Sequence, residues 1–210
     1  YNEFIPAFNL QKNGDLDNAE ILYHNLLKKY PDHFDTLRHL GILNQDRHLL
    51  DKALNFFLRA RNVNPQSHEV YNNIGSIMFQ KYKQEEAKFL CEKSLFIKPD
   101  YLPALNNLVM LYYRLNYAEE ALKLSNRTLK IYPNNLRART NHALALSING
   151  ELDKAIEIFE EIAQLKPNGD NLKNLGVSYR DAGESEKSYD CFVKALENRP
   201  EDESIFFNVS

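Results

Sequence analysis

The chain has 210 residues, 43% of them hydrophobic and 26% charged, with no tryptophan and a formal net charge of -3. Its lysines and arginines are spread rather than clustered, which excludes the basic stripe that nucleic acid or an anionic membrane surface calls for. No apolar run approaches the roughly 20 residues that cross a bilayer, and the N-terminus lacks a basic-then-apolar leader, so membrane insertion is not expected and the cytoplasm is the expected compartment.

Prolines set the organisation. Pro31, Pro65, Pro99, Pro133, Pro167 and Pro200 follow one another at intervals of 34, 34, 34, 34 and 33 residues. A period of this size marks stacked helix pairs, each too small to bury its own apolar face. In chain order, the first helix begins near Ile5, because Pro6 is tolerated only in a helix's first turn. This atypical opening unit is expected to act as an N-terminal cap. The motif Asp15-Leu16-Asp17 lacks the glycine and terminal glutamate of a calcium loop and is read as a helix N-cap. First helices follow at about 34–47, 68–81, 102–115, 136–148 and 169–182, and second helices at about 51–63, 85–97, 119–131, 152–165 and 186–198. The units then run approximately 1–33, 34–67, 68–101, 102–135, 136–168 and 169–202. From 203 the chain begins the first helix of a seventh unit. The crowding of Ile205, Phe206, Phe207 and Val209 there leads us to expect a longer protein, or self-association through this end.

The same beat governs other positions. Ala19, Ala53, Ala87, Ala121, Ala155 and Ser188 stand twelve residues before each proline, where a small side chain lets helices approach, and Tyr23, Phe57, Phe159 and Phe192 lie one turn further on. The pairs Leu40-Gly41, Ile74-Gly75 and Leu175-Gly176 place glycine inside a helix at a cost of roughly 1 kcal/mol relative to alanine, which calls for close packing. On these residues the chain resembles the tetratricopeptide repeat family over almost its whole length. The resemblance implies an all-α fold, a right-handed superhelical solenoid of antiparallel helix pairs forming a single array, whose first helices line a concave groove. Val109, Ala143 and His142 depart from the family pattern at the Leu-Gly positions.

With Leu-Gly taken as positions seven and eight, position six is Asn73, Asn107, Asn141, Asn174 and Asn208 in successive units, preceded by His39. Asparagine is a mediocre helix former because its amide competes with the backbone, so its recurrence needs a reason. The amide complements a peptide bond. With helices about 8–10 Å apart and three extended residues spanning roughly 10 Å, one rung can meet every third residue of a bound strand. The row is similar to the asparagine ladder of O-linked N-acetylglucosamine transferases, which implies a groove holding extended polypeptide. The alternative is that neighbouring amides bond to one another and stiffen the stack.

Position six is expected on the exposed side of the first helix. Asn72, Asn106 and Thr140 at position five are expected to face the groove too, with Arg38, Arg114, Lys173 and Arg180 set against Asp46, Glu69 and Asp181. Phe79, Tyr113 and Arg114 are the candidates for specificity. Position nine, Ile42, Ser76, Met110, Leu144 and Val177, excludes the carboxylate clamp of chaperone-binding relatives. No nucleophile motif, phosphate loop or metal pair is found, so no cofactor or metal is expected. Cys91 and Cys191 are read as core residues, and His142 as a half-buried histidine bonded to nearby backbone. The expected function is a non-catalytic module binding protein or extended peptide. The alternatives are the substrate arm of a larger enzyme, such as a glycosyltransferase, and a self-assembling scaffold.

Overall fold

The computed structural model describes residues 3–206 and contains thirteen helices among them. They are α1 (Phe4–Lys12), α2 (Leu16–Lys29), α3 (Phe34–Asp46), α4 (Leu50–Val63), α5 (His68–Gln80), α6 (Gln84–Ile97), α7 (Leu102–Arg114), α8 (Ala118–Ile131), α9 (Leu136–Ile148), α10 (Leu152–Leu165), α11 (Gly169–Asp181), α12 (Ser185–Asn198) and the short α13 (Glu203–Phe206). The architecture is all-α, and the limits expected from the repeat hold to within a residue or so.

Local chemistry explains those limits. Each second helix ends on a residue directly before a proline: Tyr30, Asn64, Lys98, Tyr132, Lys166 and Arg199 have φ between -130° and -147° and ψ between 63° and 94°. The proline ring disfavours the helical region for the residue before it and cannot continue the helix itself. First helices then restart on a side-chain cap. His33, Ser67, Asn135 and Asn168 accept from the backbone N–H of Thr36, Val70, Ala138 and Asn171. Asp15 caps α2 in the same way, accepting from Asn18 N at 3.3 Å. The later second helices, α4, α6, α8, α10 and α12, have no such side-chain cap. They follow a left-handed turn whose N–H groups bond back to the preceding helix, as Leu49 N does to Asn44 O at 2.8 Å.

The chain divides into two compact units, Tyr1–Asn107 and Leu108–Ser210. In the first, α1 pairs with α2, α3 with α4 and α5 with α6, and successive pairs stack through α2 on α3 and α4 on α5. Its core includes the fully buried Tyr23, Leu37, Leu40, Leu43, Phe57 and Ile77. In the second, α8 packs on α9, α9 on α10, α10 on α11 and α11 on α12. Phe159, Phe192, Leu175 and Ile205 join one apolar cluster there. Of the C-terminal segment singled out in the sequence, Ile205 is fully buried, while the side chain of Phe206 and residues Phe207, Asn208 and Val209 lie outside the described residues.

The helical glycines earn their place. A Cβ on Gly41 would stand 2.5 Å from Cε1 of Phe57, and one on Gly176 would stand 2.9 Å from Cε1 of Phe192. Gly75, opposite the smaller Cys91, would meet Sγ at 3.2 Å. Where the glycine is replaced by Val109, the residue sixteen places on is Ser125, so the sequence trades volume across the helix pair.

Candidate functional site: the first-helix faces

In the first unit the inner polar side chains come from α3, α5 and the N-terminal half of α7. Position six is less open than expected. Asn73 and Asn107 are half-buried, as is Asn174 in the second unit, and Asn141 is 2% exposed. At position five Asn72 and Asn106 are buried, at 6% and 4%, which corrects the expectation that these two face an open groove, while Arg38, Thr140 and Lys173 are half-buried. The reason is geometric. Positions five and six are separated by one residue's rotation on the helix, and in α5 the former is turned toward Asn107 of α7.

Polar links cross between several neighbouring first helices. Asn107 Nδ2 donates to Asn72 Oδ1 at 2.9 Å, Gln45 Nε2 donates to Ser76 Oγ at 3.0 Å, and Arg38 Nε lies 3.7 Å from Glu69 Oε2. In the second unit Lys173 donates to the Ser204 hydroxyl. One amide-to-amide bond thus crosses between first helices, but it joins Asn107 of the row to Asn72 at position five rather than two members of the row. Two donors on this face have no hydrogen-bond partner, Arg38 Nε and Asn73 Nδ2, and both atoms are buried.

His39 sits in a packed aromatic cluster. Its ring centroid is 5.3 Å from that of Phe4, 5.2 Å from Phe8 and 6.0 Å from Tyr23. Nδ1 is 2.9 Å from Gln11 Oε1, which also accepts from Tyr23 Oη at 2.8 Å, and Nε2 is 3.2 Å from Arg38 Nη2. A carboxamide oxygen on one side and a guanidinium donor on the other select the neutral Nδ1–H tautomer. Burial, reinforced by Arg38, pushes the imidazole down to about 4. Both ring nitrogens are thus engaged within the chain, and His39 works as a packing node between α1, α2 and α3. Gln11, which organises it, stood out by no sequence signal.

Phe79 on α5 and Tyr113 on α7 are half-buried, and Arg114, the last residue of α7, is exposed. Of the expected charged wall, Arg38 faces Glu69, and Arg180 Nη2 lies 3.2 Å from Asp181 Oδ1. His142 hydrogen-bonds a side chain rather than backbone: Ser125 Oγ is 3.0 Å from its Nδ1 while donating to Leu122 O at 3.0 Å, so the imidazole supplies the proton. Burial lowers its pKa. Cys91 is fully buried, which pushes its thiol up to about 12, and Cys191 is half-buried and also raised by burial. Neither carries the thiolate a nucleophile needs. Among the described residues no group of three or more His, Cys, Asp or Glu side chains is placed to hold a metal ion, and no helix is long and apolar enough to cross a membrane.

Helix pairs with these turns and this glycine-to-aromatic contact resemble tetratricopeptide repeats. The model for tetratricopeptide repeats matches residues 7–33, and that for the N-terminal tetratricopeptide region of Psidin matches residues 111–209. Among curated proteins, a photosystem I assembly protein Ycf3 from Prochlorococcus marinus is 35% identical over 65 residues, taking in 29% of this chain and 38% of the relative's length. Among solved structures, PilW, a type IV pilus biogenesis factor, superposes with a TM-score of 0.84 at 20% identity, covering 99% of this chain and 97% of its own. TTC0263 from Thermus thermophilus gives 0.72 at 22%, over 84% and 96% of the two chains. YrrB, described as having an unusual peptide-binding site, gives 0.63 at 22%, over 88% and 96%. At these identities the shared property is the fold.

Proposed function

We propose that the chain is a non-catalytic protein-binding module, and that the first-helix face of its repeats takes an extended polypeptide segment. The observation that carries this reading is a pair of buried donors without a hydrogen-bond partner, Asn73 Nδ2 and Arg38 Nε, the latter only in a 3.7 Å ion pair with Glu69, on that face at neighbouring positions of successive repeats. A buried donor without a partner costs about 1–3 kcal/mol, and a peptide carbonyl brought onto this face relieves the cost once the side chains rotate toward it. Asn107, which donates to Asn72, lies on the same face, and Phe79 supplies an aromatic surface in the same unit. In the second unit Asn141, Asn174, Tyr113 and Arg114 take the corresponding roles, and Asn208, outside the described residues, would continue the row. Matches to Ycf3, an assembly protein, and to a peptide-binding neighbour support protein partners in general. The mixed polar and aromatic wall favours a ligand read mostly through its backbone, with few side-chain pockets.

The test is retention of a random 12-residue peptide library by the purified chain, compared with an Arg38→Ala, Asn73→Ala variant of equal helicity by circular dichroism. Retention at least tenfold lower in the variant is expected. Equal retention by both, or none by either, overturns the reading and leaves the asparagine row a device for stacking repeats.

A further inference from the structure

A different surface of the first unit has the features of a second binding site. Helices α4 and α6 both pack on α5 and leave between them a groove of about 620 Å³. Ile74 and Met78 form its floor, with Leu54 and Leu58 on one wall and Phe89 and Leu90 on the other. Beyond the groove the apolar surface continues along α6, where Phe89 is 57% and Phe96 84% exposed. Lys93 lies between the two rings, its Nζ 5.9 Å and 5.8 Å from their centroids.

The repeat itself supplies the control. The equivalent groove of the second unit, between α8 and α10 over α9, is about 400 Å³ and includes Leu122, Asn126, His142, Leu146 and Glu157. Position for position, Leu58 corresponds to Asn126, Ile74 to His142 and Phe89 to Glu157. The fold therefore tolerates polar side chains at these places, so the apolar lining of the first groove is not a packing requirement.

Charge and hydrogen-bonding capacity define the occupant. On the rim, Lys83 pairs with Glu86 at 3.0 Å and, on the same helix, Lys88 pairs with Glu85 at 2.9 Å, while Arg61 on the rim and Lys93, further along α6 between Phe89 and Phe96, enter no ion pair among the described residues. The unneutralised charge is positive. The groove is walled by helices, whose backbone groups are already bonded, and is apolar within and charged at the rim, so an extended strand laid there would bury unmatched backbone groups, whereas a helix satisfies its own. Phe89 and Phe96 are seven residues apart, roughly 10.5 Å along α6, which matches two turns of a partner helix. We infer that the groove between α4 and α6 is a docking site for an acidic amphipathic helix of a partner protein.

The probe is a fluorescein-labelled 18-residue designed helix with leucines along one face and glutamates beside them, against a counterpart with lysine for glutamate. The acidic peptide should bind the intact chain at micromolar concentration and the lysine peptide at least tenfold more weakly. Leu58→Asn with Phe89→Glu, residues the second unit already carries at matched positions, should weaken the acidic peptide at least tenfold without loss of helicity. Arg61→Glu with Lys93→Glu should reverse the preference. Arg38→Ala with Asn73→Ala should leave it unchanged, which separates this site from the first-helix face. Failure of the acidic peptide to bind, equal binding of both peptides, or retention by the Leu58→Asn, Phe89→Glu variant overturns the proposal. So does sedimentation showing a dimer that this variant dissolves, since the groove would then hold a second copy of the chain.

Discussion

Gly41 and His39 show how much depends on single side chains in a fold built by repetition. Alanine at position 41 would drive a methyl into the Phe57 ring, which is itself fully buried and has nowhere to go. Overpacking of this kind costs about 1–3 kcal/mol, only part of which the better helix propensity of alanine offsets. We expect Gly41→Ala to lower the urea midpoint clearly, Gly75→Ala to be close to neutral because its nearest neighbours are 3.2–3.3 Å away, and Phe57→Leu to restore much of the loss in the Gly41→Ala background. Equal effects at the two glycines would refute the ring clash as the cause.

His39 gives the chain a pH dependence of defined sign. Its folded pKa of about 4 lies below the ordinary 6.5, so the unfolded chain takes up a proton first. Stability contributed by the neutral ring is complete above pH 6.5 and is lost as pH falls through the window down to about 4. Urea midpoints at pH 7.5, 5.5 and 4 should therefore decline more in the parent chain than in His39→Gln. Parallel declines would mean that His39 titrates normally and that its aromatic surroundings do not exclude water.

At the scale of the element, the left-handed turn between the two helices of each repeat is the place where residue choice and backbone conflict. Gly14, Gly150 and Gly183 occupy it with φ of 80–85°, but His48, Tyr82 and Asn116 occupy the same place with φ of 58–59°. A side chain there costs roughly 1–2 kcal/mol, against the entropy glycine would lose, so Tyr82→Gly should raise stability by about 0.5–1 kcal/mol, read from the thermal midpoint. Asn116→Gly should gain less, since asparagine tolerates this conformation. At the opposite kind of turn, Asn135→Ala removes the cap on α9 and should cost about 1 kcal/mol, while Asn135→Asp should cost little.

For the whole molecule, stability is expected to be a sum over neighbouring repeats, and the chain staples its junctions unevenly. Arg47 pairs with Asp17 and Glu20 of the repeat before it, and Lys81 pairs with Asp51. The matching places further on are Leu115, Asn149 and Ala182, which carry no cation. Because Asp17 and Asp51 are about nine-tenths exposed, each staple is worth less than about 1 kcal/mol and is screened by salt. Arg47→Met should lower the thermal midpoint slightly in dilute buffer and not at all in 1 M sodium chloride. A loss that survives high salt would locate the role of Arg47 in packing.

From the sequence alone, the helix pairs, their limits and the close packing at the helical glycines were legible, because they rest on chemistry local to a few residues: proline fixing the backbone before it, a capping side chain three residues from its donor, a small residue where two helices cross. The asparagine row was legible as a pattern but not as an environment. Whether position five or six faces the next repeat turns on about 100° of helix phase and on how repeats stack, and only the tertiary structure decided that Asn72 is covered and bonded to Asn107 while Asn73 keeps an unpaired donor. The neutral state of His39 and the groove between α4 and α6 depend in the same way on side chains brought together from three successive helices, a proximity that local preference along the backbone does not encode.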